Sequence, residues 1–319
     1  MRIIFLGTPA FAAISLAKLV DSKHTVVAVV TQPDKPSGRG NKLTPCEVKV
    51  FAEKNQIPVY QFEKIGRDGV DILKKLKPDI MVTVAYGQIL TQQIIDIPKF
   101  GIINVHASLL PKYRGASPIQ TAIMKGESQT GITIMQTDIG LDTGDILCKE
   151  AIDIEQEDTA EILGKKLSKL GAQMLLETID NIEAGNIKPI KQNHSDATFT
   201  KKIYKHDCII NWNKSASQIR CLIMGANPDP IASTFLNGLP VKIYTAIESD
   251  VQLNREFESG EILPNSSVKN GVFVKCGSGV LKLGSIQLPG GKVLEATQLL
   301  NGRKIKIGDI FEYTVQIEN

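Results

Sequence analysis

The sequence predicts an α/β domain built on a parallel sheet, followed by a smaller β-barrel domain. Three observations carry this. At 319 residues the chain exceeds what one hydrophobic core usually organises. Up to about residue 184, short β-branched runs alternate with helically spaced segments. After Cys208 the texture changes to short strands separated by Gly, Pro and Asn turns. Hydrophobic residues make up 42% and charged residues 22%, the balance of an ordinary globular chain, which excludes a disordered or fibrous protein.

In chain order, Arg2–Leu6 reads as a strand, Pro9–Asp21 as a helix whose apolar positions are Phe11, Ile14, Leu16 and Leu19, and His24–Thr31 as a second strand. The unit continues with a helix over Glu47–Asn55, a brief strand at Val59–Tyr60, a helix over Gly69–Leu76, and buried strands at Ile80–Val84 and Gly101–Val105. Strands without clean alternation, separated by helices, imply a parallel sheet covered on both faces. Gly131–Thr137 and Ile146–Ile154 follow as extended runs around a Gly/Asp-rich loop, Asp138–Asp145, and a long helical stretch runs from Thr159 to Ala184. Domains are expected over 1–189 and 207–319. The polar stretch between them, with Pro189 and little periodicity, reads as a linker over 190–206. In the second domain, a helix near Ser215–Met224 precedes strands at Val241–Ala246, Val272–Lys275 and Leu281–Ile286, and another helix covers Ala296–Gly302.

Composition narrows the function classes. The apolar start, Met1 to Leu6, is too short for a signal-peptide core or a membrane span, so a cytoplasmic protein is expected. Five cysteines (Cys46, Cys148, Cys208, Cys221, Cys276) are odd in number and widely spaced with no Cys-x-x-Cys pair, and the four histidines form no His-Glu-x-x-His. A disulfide framework, a zinc site and a catalytic metal are therefore not expected. The net charge of +3 lies in the C-terminal part: residues 190–319 hold 15 Lys and Arg against 12 Asp and Glu, whereas 1–189 hold 22 of each. A phosphate-bearing partner is compatible with this, and so is a solvated surface.

Four segments are candidates for chemistry. Gly7-Thr-Pro-Ala-Phe-Ala12 links the first strand to the first helix, where a Rossmann-like domain often holds an anion. It lacks the Gly-x-Gly-x-x-Gly spacing, so a nicotinamide dehydrogenase is a poor reading, and a plain tight turn with Pro at the first helical position fits equally well. The Thr31–Pro45 segment is long, rich in Pro and Gly, and carries Lys35, Arg39 and Lys42. It reads either as a nucleic-acid contact or as a solvated insertion. Asn104 and His106 lie two apart in a strand, so an amide and an imidazole share one face at a strand end, where open α/β sheets bind ligands. Such a pair can stabilise the oxyanion of an acyl transfer, although a core His beside an Asn turn has the same signature. Asp142, in the Asp138–Asp145 loop, brings a carboxylate that could orient His106 as a proton partner. No Gly-x-Ser-x-Gly is present, and Ser108 sits in a Leu-Pro context, so direct transfer between substrates is favoured over an acyl-enzyme.

Asn104-x-His106, Ser108-Leu-Leu-Pro111 and Asp142, together with Val84-Ala-Tyr86-Gly87-Gln-Ile-Leu90, Gly115-Ala-Ser-Pro-Ile-Gln120 and Gly131-Ile-Thr-Ile-Met-Gln136, resemble the folate-dependent formyltransferases. The resemblance covers nearly the full chain. It implies a Rossmann-like catalytic domain with Asn104, His106 and Asp142 at its centre, and a C-terminal OB-like barrel. It further implies a folate site shaped by Tyr86, Gly87, Gln88, Leu90, Ser108, Leu109, Leu110, Pro111, Asp138 and Gly140, with 10-formyltetrahydrofolate as formyl donor and no metal. Gly7-Thr-Pro, the Pro36–Gly40 loop and the appended barrel add methionyl-initiator tRNA as the implied acceptor, contacted by Lys35, Arg39 and Lys42. A monomer is the default expectation. Two departures stand out: Ala107 where many relatives carry glycine, and no tryptophan near Pro230. Two other readings remain: a formyltransferase for glycinamide ribonucleotide or a nucleotide-linked amino sugar, and a tRNA-binding module that has lost activity.

Overall fold

A computed structural model describes residues 1–37 and 42–313. Arg39 lies outside the described residues. Packing divides the chain into two compact units, one of Met1–Gly115, Thr130–Ile152 and Gly164–Thr200, the other of Ala116–Gln129, Asp153–Leu163 and Lys201–Asn319.

The first unit is an α/β sheet of seven strands in the order Ile146–Asp153, Gln129–Gln136, Ile102–His106, Ile80–Val84, Arg2–Gly7, Thr25–Thr31, Val59–Gln61. Its central strands are buried on both faces, as the unbroken runs Ile3–Leu6 and Ile80–Val84 require. The five strands from Ile102–His106 to Val59–Gln61 are parallel. The exception is Gln129–Gln136, which pairs antiparallel with Ile102–His106. A parallel pair needs a crossover helix over the sheet. The one helix in the intervening sequence, Pro118–Met124, packs with the second unit, and the strand returns antiparallel.

Helices predicted from spacing appear within a residue or two of their expected bounds, at Ala10–Val20, Glu47–Lys54, Val70–Lys75 and Ala160–Glu183. The basic Thr31–Pro45 segment contains strand pairing: Lys35–Ser37 pairs antiparallel with Lys42–Thr44. Residues 190–200, within the stretch expected to connect the domains, are hydrogen-bonded into the first unit. Ile190 bridges Ile146, and Phe199–Thr200 pairs with Arg114–Gly115. Most of this stretch is exposed, and Gln192 is the one buried residue in it, bonded to Arg114.

In the second unit two expected strands are each broken in two. The Val241–Ala246 run divides into Leu239–Ile243 and Ala246–Ser249, and the Leu281–Ile286 run into Val280–Leu283 and Ser285–Gln287. In both cases the halves lie in different sheets. The breaks face one another, Gly284 N donating to Thr245 O and Tyr244 N to Ser285 O. A Cβ at Gly284 would stand 2.2 Å from Thr245 Oγ1, so only glycine lets the paired strands bend here together. Such corners turn one sheet into the next in a small barrel. The core gathers round Trp212, which stacks on Phe311 and donates from Nε1 to Thr234 Oγ1 at 2.9 Å. The helix Ala216–Ala226 starts at a capping box of Ser215 and Gln218 and buries Ile219, Ile223 and Met224.

Candidate active site

The strand Ile102–His106 ends at the carboxyl edge of the parallel strands, and Asn104 and His106 leave it on one face because strand side chains alternate. Asn104 lies opposite Thr83 on the neighbouring parallel strand. The Thr83 hydroxyl donates to Asn104 Oδ1 at 2.9 Å, shorter than its other contact, 3.3 Å to Ile103 O. That bond fixes which end of the amide faces outward. The Nδ2 hydrogens are left without a protein partner among the described residues, available to a developing negative charge.

His106 is 5% exposed, and its ring is held from both sides. Nε2 lies 2.9 Å from Tyr113 O. A carbonyl only accepts, so Nε2 carries the hydrogen and the variable proton resides on Nδ1. Nδ1 faces Asp142 Oδ2 at 3.6 Å, close enough for ion pairing and longer than a hydrogen bond. Asp142 itself is anchored by Gly115 N, which donates to the same Oδ2 at 2.7 Å. Both Tyr113 and Asp142 adopt positive φ, +61° and +51°. Such backbone strain persists only where surrounding bonds over-determine it, and it concentrates at functional sites.

The expected folate residues divide into two groups. Gly87 (φ +85°), Asp138 and Gly140 lie on exposed backbone flanking the site strand's neighbours, and Leu109 and Pro111 are part-exposed. Asp138 accepts from Gly140 N at 3.1 Å and from Thr143 Oγ1 at 2.7 Å, which shapes the loop carrying Asp142. The other side chains are turned inward. Gln88 receives Ile65 N at 2.9 Å and donates to Phe62 O at 2.8 Å. Ser108 Oγ donates to Lys112 O at 2.6 Å. Leu110 packs with Met135 and Ile146, and Leu90 and Tyr86 join the core against Ile4, Leu6 and Ile94. Burial pushes the Tyr86 phenol up to about 12, so it stays neutral, and its hydroxyl has no partner among the described residues. What these residues leave for a ligand is largely backbone.

Sequence reading missed the apolar side chains that these loops hold out to solvent. Ile89 is 88% exposed, Ile139 66% and Leu141 57%. Large apolar groups held in water on loops beside a polar triad suit a flat aromatic ligand, and their signal was apolar residues within two of a turn glycine, Gly87 or Gly140. Of the expected basic contacts, Lys35 is exposed on the paired base of its hairpin, and Lys42 lies on the opposing strand. A His24, Asp180 and Glu183 group has the spacing of metal ligands, but Lys23 Nζ sits 2.9 Å from Asp180 and 3.1 Å from Glu183, and the terminal ammonium 3.2 Å from Glu183. These cations already neutralise the carboxylates there and hold both below the usual range.

The family described as formyl transferase matches residues 1–179, and the formyl transferase C-terminal domain matches 202–304. A methionyl-tRNA formyltransferase of Coxiella burnetii is 45% identical over 309 residues, 96% of this chain and 97% of the relative. One from Caldicellulosiruptor saccharolyticus is 46% identical over 313 residues, 97% of this chain and 99% of the relative. Among solved structures, a sugar 3N-formyl transferase determined in the presence of dTDP and 5-N-formyl-THF superposes with a TM-score of 0.67 at 21% identity, covering 92% of this chain and 99% of that one. At that identity the likeness concerns the fold.

Proposed function

This chain belongs to the formyl transferase family, and on that premise we propose that it transfers the formyl group of 10-formyltetrahydrofolate to the amino group of methionyl-initiator tRNA. The observation that carries the chemistry is the convergence of Asn104, His106 and Asp142 at one strand end, with Asp142 3.6 Å from the imidazole. The acceptor follows from relatives that carry both units and are named for methionyl-tRNA. The amine nitrogen attacks the formyl carbon, and the carbonyl oxygen becomes an oxyanion that accepts from Asn104 Nδ2 and, with the ring in its doubly protonated form, from His106 Nδ1. Preorganised donors of this kind are worth roughly 10²–10³-fold each in kcat. The new C–N bond forms while the nitrogen loses a proton to the Asp142 carboxylate. Collapse of the intermediate breaks the bond to N10 of the folate, which takes up that proton and leaves as tetrahydrofolate.

We assign 1–189 to catalysis, 190–206 to the connection and 207–319 to an OB-like barrel that lies along the tRNA backbone. The pterin rests on the exposed backbone of the Tyr86–Leu90 and Asp138–Asp142 turns, against Ile89, Ile139 and Leu141. Lys35, Lys42 and Arg39 approach the acceptor end. The expected form is a cytoplasmic monomer. Among the described residues no helix is long and apolar enough to cross a membrane.

Formyl transfer from 10-formyltetrahydrofolate should be measured with methionyl-initiator tRNA, free methionine, glycinamide ribonucleotide and an amino-sugar nucleotide as acceptors. Transfer to the charged tRNA alone is expected. Transfer confined to a small amine would overturn the acceptor and keep the chemistry, and no transfer to any would overturn both. Thr83→Val should lower kcat about 10-fold with KM for both substrates little changed, because valine keeps the shape and frees the Asn104 amide to flip. An unchanged kcat would show that Asn104 needs no such orientation.

A further inference from the structure

We infer that Gln192, with Arg114 behind it, is a positioning residue for the Asp142 carboxylate. This rests on the catalytic reading above and extends it to the segment between the two domains. Gln192 is 6% exposed, and its Nε2 donates to two carbonyls of the catalytic loop, Asp142 O at 2.9 Å and Gly144 O at 2.7 Å. These flank Thr143, so one amide pins the turn on both sides. The other end of the amide is fixed as firmly. Gln192 Oε1 accepts from Arg114 Nε at 3.2 Å and from Nη2 at 2.6 Å.

Arg114 is only 2% exposed. Its guanidinium bonds Gln192 and also lies near His194, Nη2 standing 3.2 Å from Nδ1. A buried guanidinium facing a neutral amide is an expensive arrangement unless it serves a purpose. Here it cannot accept a hydrogen bond, so it leaves Gln192 a single orientation, with Nε2 towards the loop. It also polarises the amide and strengthens both donated bonds. Arg114 and Gly115 are adjacent in sequence. Gly115 N holds the Asp142 carboxylate directly, while Arg114 holds the Asp142 carbonyl through Gln192. One dipeptide therefore grips the catalytic residue at its side chain and its main chain, and keeps its φ of +51° from relaxing. Strand pairing of Arg114–Gly115 with Phe199–Thr200 ties the same dipeptide to the segment that supplies Gln192.

The test is Gln192→Glu. Glutamate still accepts from Arg114, so the buried cation keeps a partner and the fold is retained. It presents an oxygen, in place of an N–H pair, to two carbonyl oxygens. We expect kcat to fall about 10- to 100-fold, as a misplacement near an ångström produces, with KM for tRNA and folate within about threefold and melting near that of the wild type. Arg114→Met with Gln192→Leu removes the polar pair together in favour of apolar side chains of similar bulk, and should lose the same factor in kcat. In an Asp142→Asn background the Gln192→Glu change should cost less than threefold, since the carboxylate it positions is gone. A kcat within threefold of wild type in both variants would overturn the inference. So would a full, multiplicative loss on top of Asp142→Asn, which would mean that Gln192 acts elsewhere. If Asp142→Asn alone were fully active, the catalytic reading would fall and this inference with it, whereas an inactive Asp142→Asn beside an active Gln192→Glu overturns only this inference.

Discussion

Asp142→Asn should lower kcat for formyl transfer by about 10²–10⁴-fold, the usual worth of a placed proton acceptor, without measurable loss of stability. The two halves of this expectation come from different features of the residue. Asn keeps an Oδ that can accept from Gly115 N, now 2.7 Å from Asp142 Oδ2. It is also among the few residues that tolerate the φ of +51° found there. The loop should therefore hold its shape. What disappears is the carboxylate 3.6 Å from His106 Nδ1, and with it the group proposed to take the proton from the attacking amine. The imidazole also loses the charged group that faces Nδ1 at 3.6 Å, so its ring is no longer paired from that side. Single-turnover transfer at saturating substrates reads the chemical step directly. Near-normal turnover would remove Asp142 from the mechanism, and a large drop in melting temperature would show that its role is structural.

Part of this site was legible in sequence from a local repeat. Asn104 and His106 stand two apart on a strand, so their common face follows from the pleat alone. Thr83 could not be found that way. Its place opposite Asn104 is set by the register of two parallel strands twenty-one residues apart in sequence, and register follows from packing of whole faces. Gln192 was hidden for another reason. A polar, aperiodic stretch looks the same whether water or a buried guanidinium satisfies it, and here the partner is Arg114. Gln88 and Ser108 were legible as motif members, yet their side chains bond to Ile65, Phe62 and Lys112. Their value is in shaping backbone. The broken strands of the second unit were unreadable as two pieces because Gly284 looks like any strand glycine until Thr245 is seen opposite it.

The second large effect is expected at Gly144, where a single methyl group should do nearly as much damage as loss of the carboxylate. Gly144 is buried in the loop that carries Asp142, and a Cβ there would stand 1.8 Å from Gln136 O and 2.9 Å from Gln136 C. Those are backbone atoms at the end of the sheet strand Gln129–Gln136, which cannot yield without breaking the ladder. The loop must yield instead, by at least an ångström. It would pull Gly144 O away from Gln192 and carry Asp142 off His106. Gly144→Ala should therefore lower kcat about 100-fold, the scale of an ångström's misplacement of a catalytic group, and destabilise the fold by about 1–3 kcal/mol as overpacking does. Gly185→Ala separates crowding from the general cost of losing a glycine. Its φ is +74°, with nothing within 4 Å of the added Cβ. It should pay only the conformational penalty, about 1 kcal/mol, and leave kcat unchanged. Equal kcat in the two variants would mean that the position of the loop does not govern the reaction, and that the Asp142–His106 geometry is a consequence of the fold without being its catalytic purpose.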